Sequence, residues 1–277
     1  MSDTASLPDA GQTITANLTY AIDTGEKLVN EISETGGTSR RVVGKYQDVP
    51  VSMRDGRELR DQFDLHTHGF IFVDQKSQVP DFYDDQAIKD IYYPEMERLI
   101  LDATGGRRVH IFDHTRRHSD EAARSARKVR EPATSVHNDY TEWSGPQRLR
   151  DILPDEAEEL LKRRFAIVQV WRAINTPIEV TPLAMCDART LDAGDLLISE
   201  RRAPGRIGQT YRITHNPAHE WFWFPKMTRD EALVFKVYDS DASNQSRWTA
   251  HSAFHNPIAP SGAHPRESME IRSFVFW

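Results

Sequence analysis

Cysteine is almost absent: Cys186 stands alone among 277 residues. That excludes an internal disulfide framework and any cysteine-rich zinc site. No apolar run comes near the ~18 residues needed to cross a bilayer, because charge interrupts every hydrophobic stretch. The opening MSDTASLPDAG has no basic segment leading into an apolar one, so no secretory leader is expected. These absences point to a cytoplasmic chain with no membrane partner. Positive charge is not in excess either. Lys and Arg number 35 against 42 Asp and Glu, a formal net charge of −7, which opposes binding to nucleic-acid phosphates. Internal repeats and low-complexity tracts are also lacking.

What is present is ordinary globular material, 38% hydrophobic and 28% charged, enough for one large domain. Residues 1–40 read as a polar arm, partly disordered, in which ITANLTYAI could add an edge strand. Residues 41–277 read as a single domain. A helix is expected over about 84–104: Asp84 or Asp85 can cap it, Met96, Leu99, Ile100 and Ala103 share one face, and Gly105-Gly106 stop it. A second helical stretch at 146–165 is interrupted by Pro154. Beyond it come short β-type runs, including FAIVQVWRAI (165–174), HEWFWF (219–224), ALVFKVYD (232–239), WTAHSAF (248–254) and SMEIRSFVFW (268–277). Many short strands between Gly, Pro, Asn and Asp turns indicate a mainly β protein with helical additions. The expected core is a double-stranded β-helix, the jelly roll of cupin-like folds.

His-x-Asp occurs twice, at His118-Ser119-Asp120 and His137-Asn138-Asp139. The spacing alone is weak, since residues i and i+2 of any extended segment share a side. Context favours the second. His118 falls in the charged stretch 115–130, expected to be a wet loop, whereas His137 follows ATSV and precedes Tyr140 and Trp143. A facial two-His-one-carboxylate site needs a third ligand and leaves three positions open. His251 supplies it. Fourteen residues later comes Arg266-x-Ser268, and no other histidine has an arginine fifteen positions on. A 2-oxoglutarate chelating the metal by its keto acid end would extend its far carboxylate ~5 Å away, toward a guanidinium fork and a hydroxyl suited to it. Each residue alone has a bland reading, as a packed histidine or a loop arginine. The order of the whole set favours the functional one.

At this point the sequence resembles the Fe(II)/2-oxoglutarate-dependent oxygenases of secondary metabolism. Within them it is similar to the group of the cephamycin 7-hydroxylation protein, the novofumigatonin endoperoxidase and gibberellin-desaturase-like proteins. The resemblance spans roughly residues 65–277. It rests on HGFIF (68–72), YYPEMERLI (92–100), RRVHIFDHTRR (107–117), VHNDYTEWSGPQR (136–148), VWRAINTPIEVTPLAMCDART (170–190), HSAFHNP (251–257) and PRESMEIRSFVF (265–276). It implies His137, Asp139 and His251 as iron ligands, Arg266 as the 2-oxoglutarate anchor and Trp171 at the border of that co-substrate. It also implies O₂-dependent oxidation of an unactivated C–H bond of a small natural product, by hydroxylation, desaturation, cyclisation or peroxidation. A homodimer is expected because members of the group tend to form one.

Three rivals are set against this reading. A non-catalytic jelly-roll partner subunit would not need the full set of five groups. A zinc hydrolase would not need Arg266, and a plain binding barrel would need neither. For the substrate, Tyr140, Trp143 and Phe254 suggest a largely apolar pocket for a neutral or amphipathic molecule. The competing expectation is that the basic stretch, with Arg116, Arg117, Arg124, Arg127, Lys128 and Arg130, receives an acidic one.

Overall fold

A computed structural model describes residues 11–32 and 39–277; the first ten residues, expected to be disordered, lie outside the described part. With strands numbered in chain order, the larger sheet has ten, ordered β1 (Thr13–Ile22), β4 (Lys45–Asp55), β12 (Trp221–Trp223), β9 (Leu183–Cys186), β14 (His251–Ala253), β7 (His137–Asn138), β11 (Arg206–Ile213), β10 (Leu196–Ala203), β2 (Leu28–Ile32) and β3 (Ser39–Val43). The smaller has five, ordered β5 (Phe70–Asp74), β13 (Glu231–Asp239), β8 (Phe165–Ala173), β15 (Glu267–Phe276) and β6 (Arg108–His118). Together they form the jelly-roll core.

The central strand β8 shows why the sequence folds this way. Every residue of FAIVQVWRA is buried, because both faces of its sheet are covered. Phe165, Ile167, Trp171 and Ala173 point inward and pack against Phe222 and Met185 of the larger sheet and the adjoining Phe224. Ala166, Val168 and Val170 point outward, against Met96 and Ile100 of the helix Tyr93–Thr104. A strand with two covered faces reads as a continuous apolar run rather than an alternating one. Gln169 is the polar exception on the inward face.

The segment 84–104 is helical with one internal change of pitch. Asp84 accepts from the amides of Gln86 and Ala87, a wider π-turn runs through Ile88–Tyr92, and Gly105 ends the helix at φ 66° with its N–H bonded to Leu101. Only glycine takes that left-handed conformation without strain. The stretch at 146–165 is two helices, Ser144–Ile152 and Ala157–Leu160, parted at Pro154, which cannot continue the first. No division appears at residue 40. Strand β1 pairs with β4 along its whole length and β2 pairs with β10, so residues 13–32 belong to the larger sheet. The polarity of the arm reflects an edge strand with one solvated face, whose burial alternates residue by residue.

Candidate active site

Antiparallel pairing builds the centre of the site. Strand β7 is squeezed between β14 and β11, with His137 directly opposite His251 on one side and Arg212 on the other. The two imidazole rings lie 4.4 Å apart by centroid. His137 Nδ1 is 2.8 Å from the Ser135 carbonyl, and His251 Nδ1 is 3.0 Å from that of Thr249. A carbonyl only accepts, so both Nδ1 atoms carry the proton and both Nε2 lone pairs face inward. Asp139 turns to the same side: its Oδ1 is 3.5 Å from His137 Nε2, and one ligand atom from each of the three residues falls within 4.8 Å of the others. Asn138 faces away and secures the turn by donating to the carbonyls of Tyr140 and Val237.

The electrostatics suit a cation. Burial pushes the His137 imidazole well below its usual range, and His251 adds to the effect, so it is neutral and free to ligate. Burial is the largest influence and would raise Asp139, but the Arg272 guanidinium, the two imidazoles and the Gln169 hydrogen bond together outweigh it and hold the carboxyl well below the ordinary carboxylate range. Asp139 Oδ2 accepts from Gln169 Nε2 at 2.6 Å and from Arg272 Nε at 3.2 Å, leaving Oδ1 for a metal.

Strand β15 supplies the second half of the site. Arg266, Ser268, Glu270 and Arg272 alternate with Met269 and Ile271 of the outer core, so all four face inward. Arg266 is 2% exposed. Its Nε donates to Ser268 Oγ at 3.0 Å and one terminal nitrogen to the Thr181 carbonyl at 3.0 Å. Its guanidinium stacks 4.8 Å over the ring of Trp171. No carboxylate pairs with it among the described residues, and burial pushes it down to about 9. The indole N–H of Trp171 is buried without a partner. Arg266, Arg117, Trp171, His137, His251 and Glu270 are among the residues around one narrow cavity, the Glu270 carboxylate being held by Arg272. A buried cation and an orphaned donor beside two imidazoles fit an incoming dicarboxylate. Arg272, the other arginine of this strand, is spent on Asp113, Asp139 and Glu270.

Comparison with known proteins places the whole chain in a family. Residues 18–276 match the family described as "Oxidoreductase/YMDC permease-like domain", although no helix among the described residues is long and apolar enough to cross a membrane. The hydroxylase/desaturase CTB9 of Cercospora beticola is 33% identical over 87% of this chain and 81% of its own length. The Fe(II)/2-oxoglutarate-dependent dioxygenase nvfI of Aspergillus novofumigatus is 31% identical over 82% of each. This chain belongs to the Fe(II)/2-oxoglutarate-dependent oxygenases. The solved structure of the iron and alpha-ketoglutarate-dependent endoperoxidase NvfI superposes with a TM-score of 0.84, at 26% identity, over 95% of this chain and 98% of that one. Among oxygenases of this family, iron, 2-oxoglutarate and O₂ when bound supply the oxidising power that takes hydrogen from an unactivated C–H bond. The protein's own residues hold, orient and shield.

The remaining expected residues are distributed unevenly. Tyr140 and Trp143 line a cleft of about 650 Å³ that opens beside His137 and Asp139. Phe254 does not; it is buried in the opposite core, edge-on to Trp223 at 5.9 Å. The cleft is not the largely apolar pocket expected, since Arg117, Arg130, Arg148, Arg201, Arg206, Arg212 and Arg272 all reach it. His118 is not in a wet loop but buried at the end of β6, its Nδ1 accepting from the Asp120 amide, while Asp120 caps the helix Glu121–Arg127. The reason is local: a strand end followed by a helix start uses both side chains as caps. Gln169, Arg201 and Arg212 belong to no motif of the sequence. Gln169 alone had a signal, as the one polar residue on the inward face of an apolar strand.

Proposed function

We propose that His137, Asp139 and His251 hold Fe(II), that Arg266 with Ser268 receives the distal carboxylate of 2-oxoglutarate, and that Trp171 walls and hydrogen-bonds that co-substrate. The observation that carries this reading is the buried guanidinium of Arg266, in no salt bridge among the described residues, in one cavity with the two imidazoles, where the Glu270 carboxylate is already taken by Arg272. A zinc hydrolase has no use for that cation. The substrate is a small molecule that enters by the cleft past Tyr140 and Trp143, with its oxidised carbon presented on the Asp139 side of the site. The lone Cys186, buried and free, is compatible with a reducing, cytoplasmic location. A homodimer is proposed as the assembly, to be checked by light scattering against the 31.8 kDa chain mass.

The test is an anaerobic titration with Fe(II) and 2-oxoglutarate, following the weak visible charge-transfer absorption of the chelate. The band forms in the unaltered protein and in His118→Ala, and fails to form in His137→Ala and His251→Ala. A band that survives in those two, or is lost in His118→Ala, overturns the ligand assignment.

A further inference from the structure

The cleft beside the metal centre is charged in a way the chain as a whole is not. Seven arginines line it against four carboxylates, those of Asp113, Glu131, Asp139 and Asp151, in a protein of net charge −7. Some of that charge is internally matched. Arg272 is held by Asp113 and Asp139, Arg148 lies 3.6 Å from Asp113, and Arg206 lies 3.7 Å from Asp151. Arg117 donates to the Glu131 carbonyl and Arg212 to the Ser135 hydroxyl. Arg130 and Arg201 have no side-chain acceptor among the described residues. Burial and the neighbouring charges of Arg130 and Arg272 push Arg201 down to about 10. Burial and Arg117 act on Arg130 in the same direction.

Two further features show what could sit there. Gly208 lies opposite Arg201 across the β10–β11 pair, and a side chain built on it would meet nothing nearer than the Arg201 carbonyl at 3.9 Å, so the space beside the guanidinium is left open. The mouth is apolar. Of the five exposed large hydrophobic side chains described, Val42, Trp143 and Ile207 all line this cleft. Such clustering marks a binding surface rather than scatter.

We infer that the substrate of this oxygenase is an amphipathic carboxylic acid, its carboxylate held by Arg130 and Arg201 and its apolar body lying against Val42, Trp143 and Ile207. This rests on the proposed metal centre, because the acid group would fix which carbon of the body faces Asp139. A guanidinium pair partly withdrawn from water gains most from an anion that supplies both charge and two acceptors. The arginines of the mature cleft come mainly from β10, β11 and β15, with Arg117 and Arg130 the contribution of the basic stretch. Arg116, Arg124 and Arg127 are engaged elsewhere, with Asp85, the Ser119 carbonyl and Glu267.

The experiment uses full-length protein loaded anaerobically with Fe(II) and saturating 2-oxoglutarate. The probes are 1-naphthoate, 9-anthracenecarboxylate and abietate, each beside its methyl ester, with binding read from perturbation of the visible band and by ligand-observed NMR. At least one acid should bind about tenfold or more tightly than its ester, the scale of a charge-assisted contact, and added salt should weaken the acid but not the ester. Arg201→Gln and Arg130→Gln should each remove that preference while the chelate band itself is kept. Gly208→Leu, which fills the open space beside Arg201 without removing any positive charge, should weaken the acid too. Esters that bind as well as acids, no acid-selective binding by any probe, or a preference that survives all three substitutions would each overturn the inference. So would a dimer that Val42→Ser and Ile207→Ser convert to monomer with acid binding unchanged, since the apolar rim would then be a subunit contact. Failure of the metal-centre reading is distinguishable, because the chelate band would be missing from the unaltered protein before any probe is added.

Discussion

Arg272 Nε lies 3.2 Å from Asp139 Oδ2, so the carboxylate at the centre of the site is shared between an inward-facing guanidinium and the space where a metal would bind. Gln169 takes the same oxygen at 2.6 Å. The two donors fix the carboxylate plane and leave Oδ1 as the free lone-pair atom.

The expected consequence is a loss of metal affinity without loss of the ligands. Gln169→Leu should weaken Fe(II) binding by about 10- to 100-fold, the usual effect of removing a partner that orients a ligand. The 2-oxoglutarate requirement measured at saturating iron should change little. Equilibrium dialysis of Fe(II) with the variant checks this, and unaltered affinity would mean that Asp139 is oriented by Arg272 alone. Arg272→Gln is the harsher change, because it also strands the buried carboxylate of Glu270. Breaking buried pairs of this kind costs about 3–5 kcal/mol, so a lowered urea midpoint should accompany its metal defect.

Arg266, immediately before β15, and Arg272 within it sit six residues apart and face the same way, yet should behave oppositely toward the co-substrate. Arg266→Met should raise the 2-oxoglutarate concentration for half-maximal band formation about 30- to 1000-fold, for a lost contact of roughly 2–4 kcal/mol. Arg266→Lys should recover only part of this, since an ammonium cannot keep Ser268, the Thr181 carbonyl and a carboxylate in one planar fork. An anchor at Arg272 would reverse the ranking of the two sites.

The contrast also shows what the amino-acid sequence makes legible. The inward row Arg266, Ser268, Glu270, Arg272 follows from strand alternation once the last strand is recognised, and the His-x₁₄-Arg interval distinguishes His251 from the other histidines. The pairing of His137 with His251 is not legible locally, because it joins segments 114 residues apart through a two-residue strand. The cleft is harder still. Arg117, Arg130, Arg201 and Arg212 come from separate elements, and each alone looks like a solvated surface charge. Phe254 errs in the other direction: closeness in sequence to His251 suggested the pocket, but three residues of strand and turn carry its ring to the far side of the sheet.

A pH test can be placed well away from the metal. Asp239 is fully buried and is paired with Arg164 at 2.8 Å and Lys236 at 2.9 Å. Burial would raise its carboxyl, but the hydrogen bond from Arg164 and the charge of Lys236 prevail and hold it below the ordinary range. A depressed folded-state value stabilises the native chain fully above the unfolded carboxyl's value, near 3.9, and that stability drains as pH falls through the folded value. Asp239→Asn should therefore be less stable at pH 7 by about 3–5 kcal/mol, with the gap narrowing toward pH 3. Urea midpoints of the two proteins across that range supply the check. A gap independent of pH would assign the effect to packing.

Phe254 and Trp143 offer a final pair of opposite outcomes. Both are aromatic and each lies within six residues of a proposed iron ligand, but Phe254 is 2% exposed in the core and Trp143 is 49% exposed at the cleft mouth. Phe254→Ala removes a ring packed on Trp223 and leaves a cavity between rigid strands, which should cost about 3–5 kcal/mol of stability. Trp143→Ala removes a ring about half in water, and away from buried features such changes stay within about 0.5 kcal/mol. Its effect should instead fall on whatever molecule the cleft receives, weakening acid and ester probes alike, because the ring offers area and no charge. Paired thermal melts and probe titrations separate the two roles. A destabilised Trp143→Ala with unchanged probe binding would make that side chain a packing element of the fold, not a wall of the cleft.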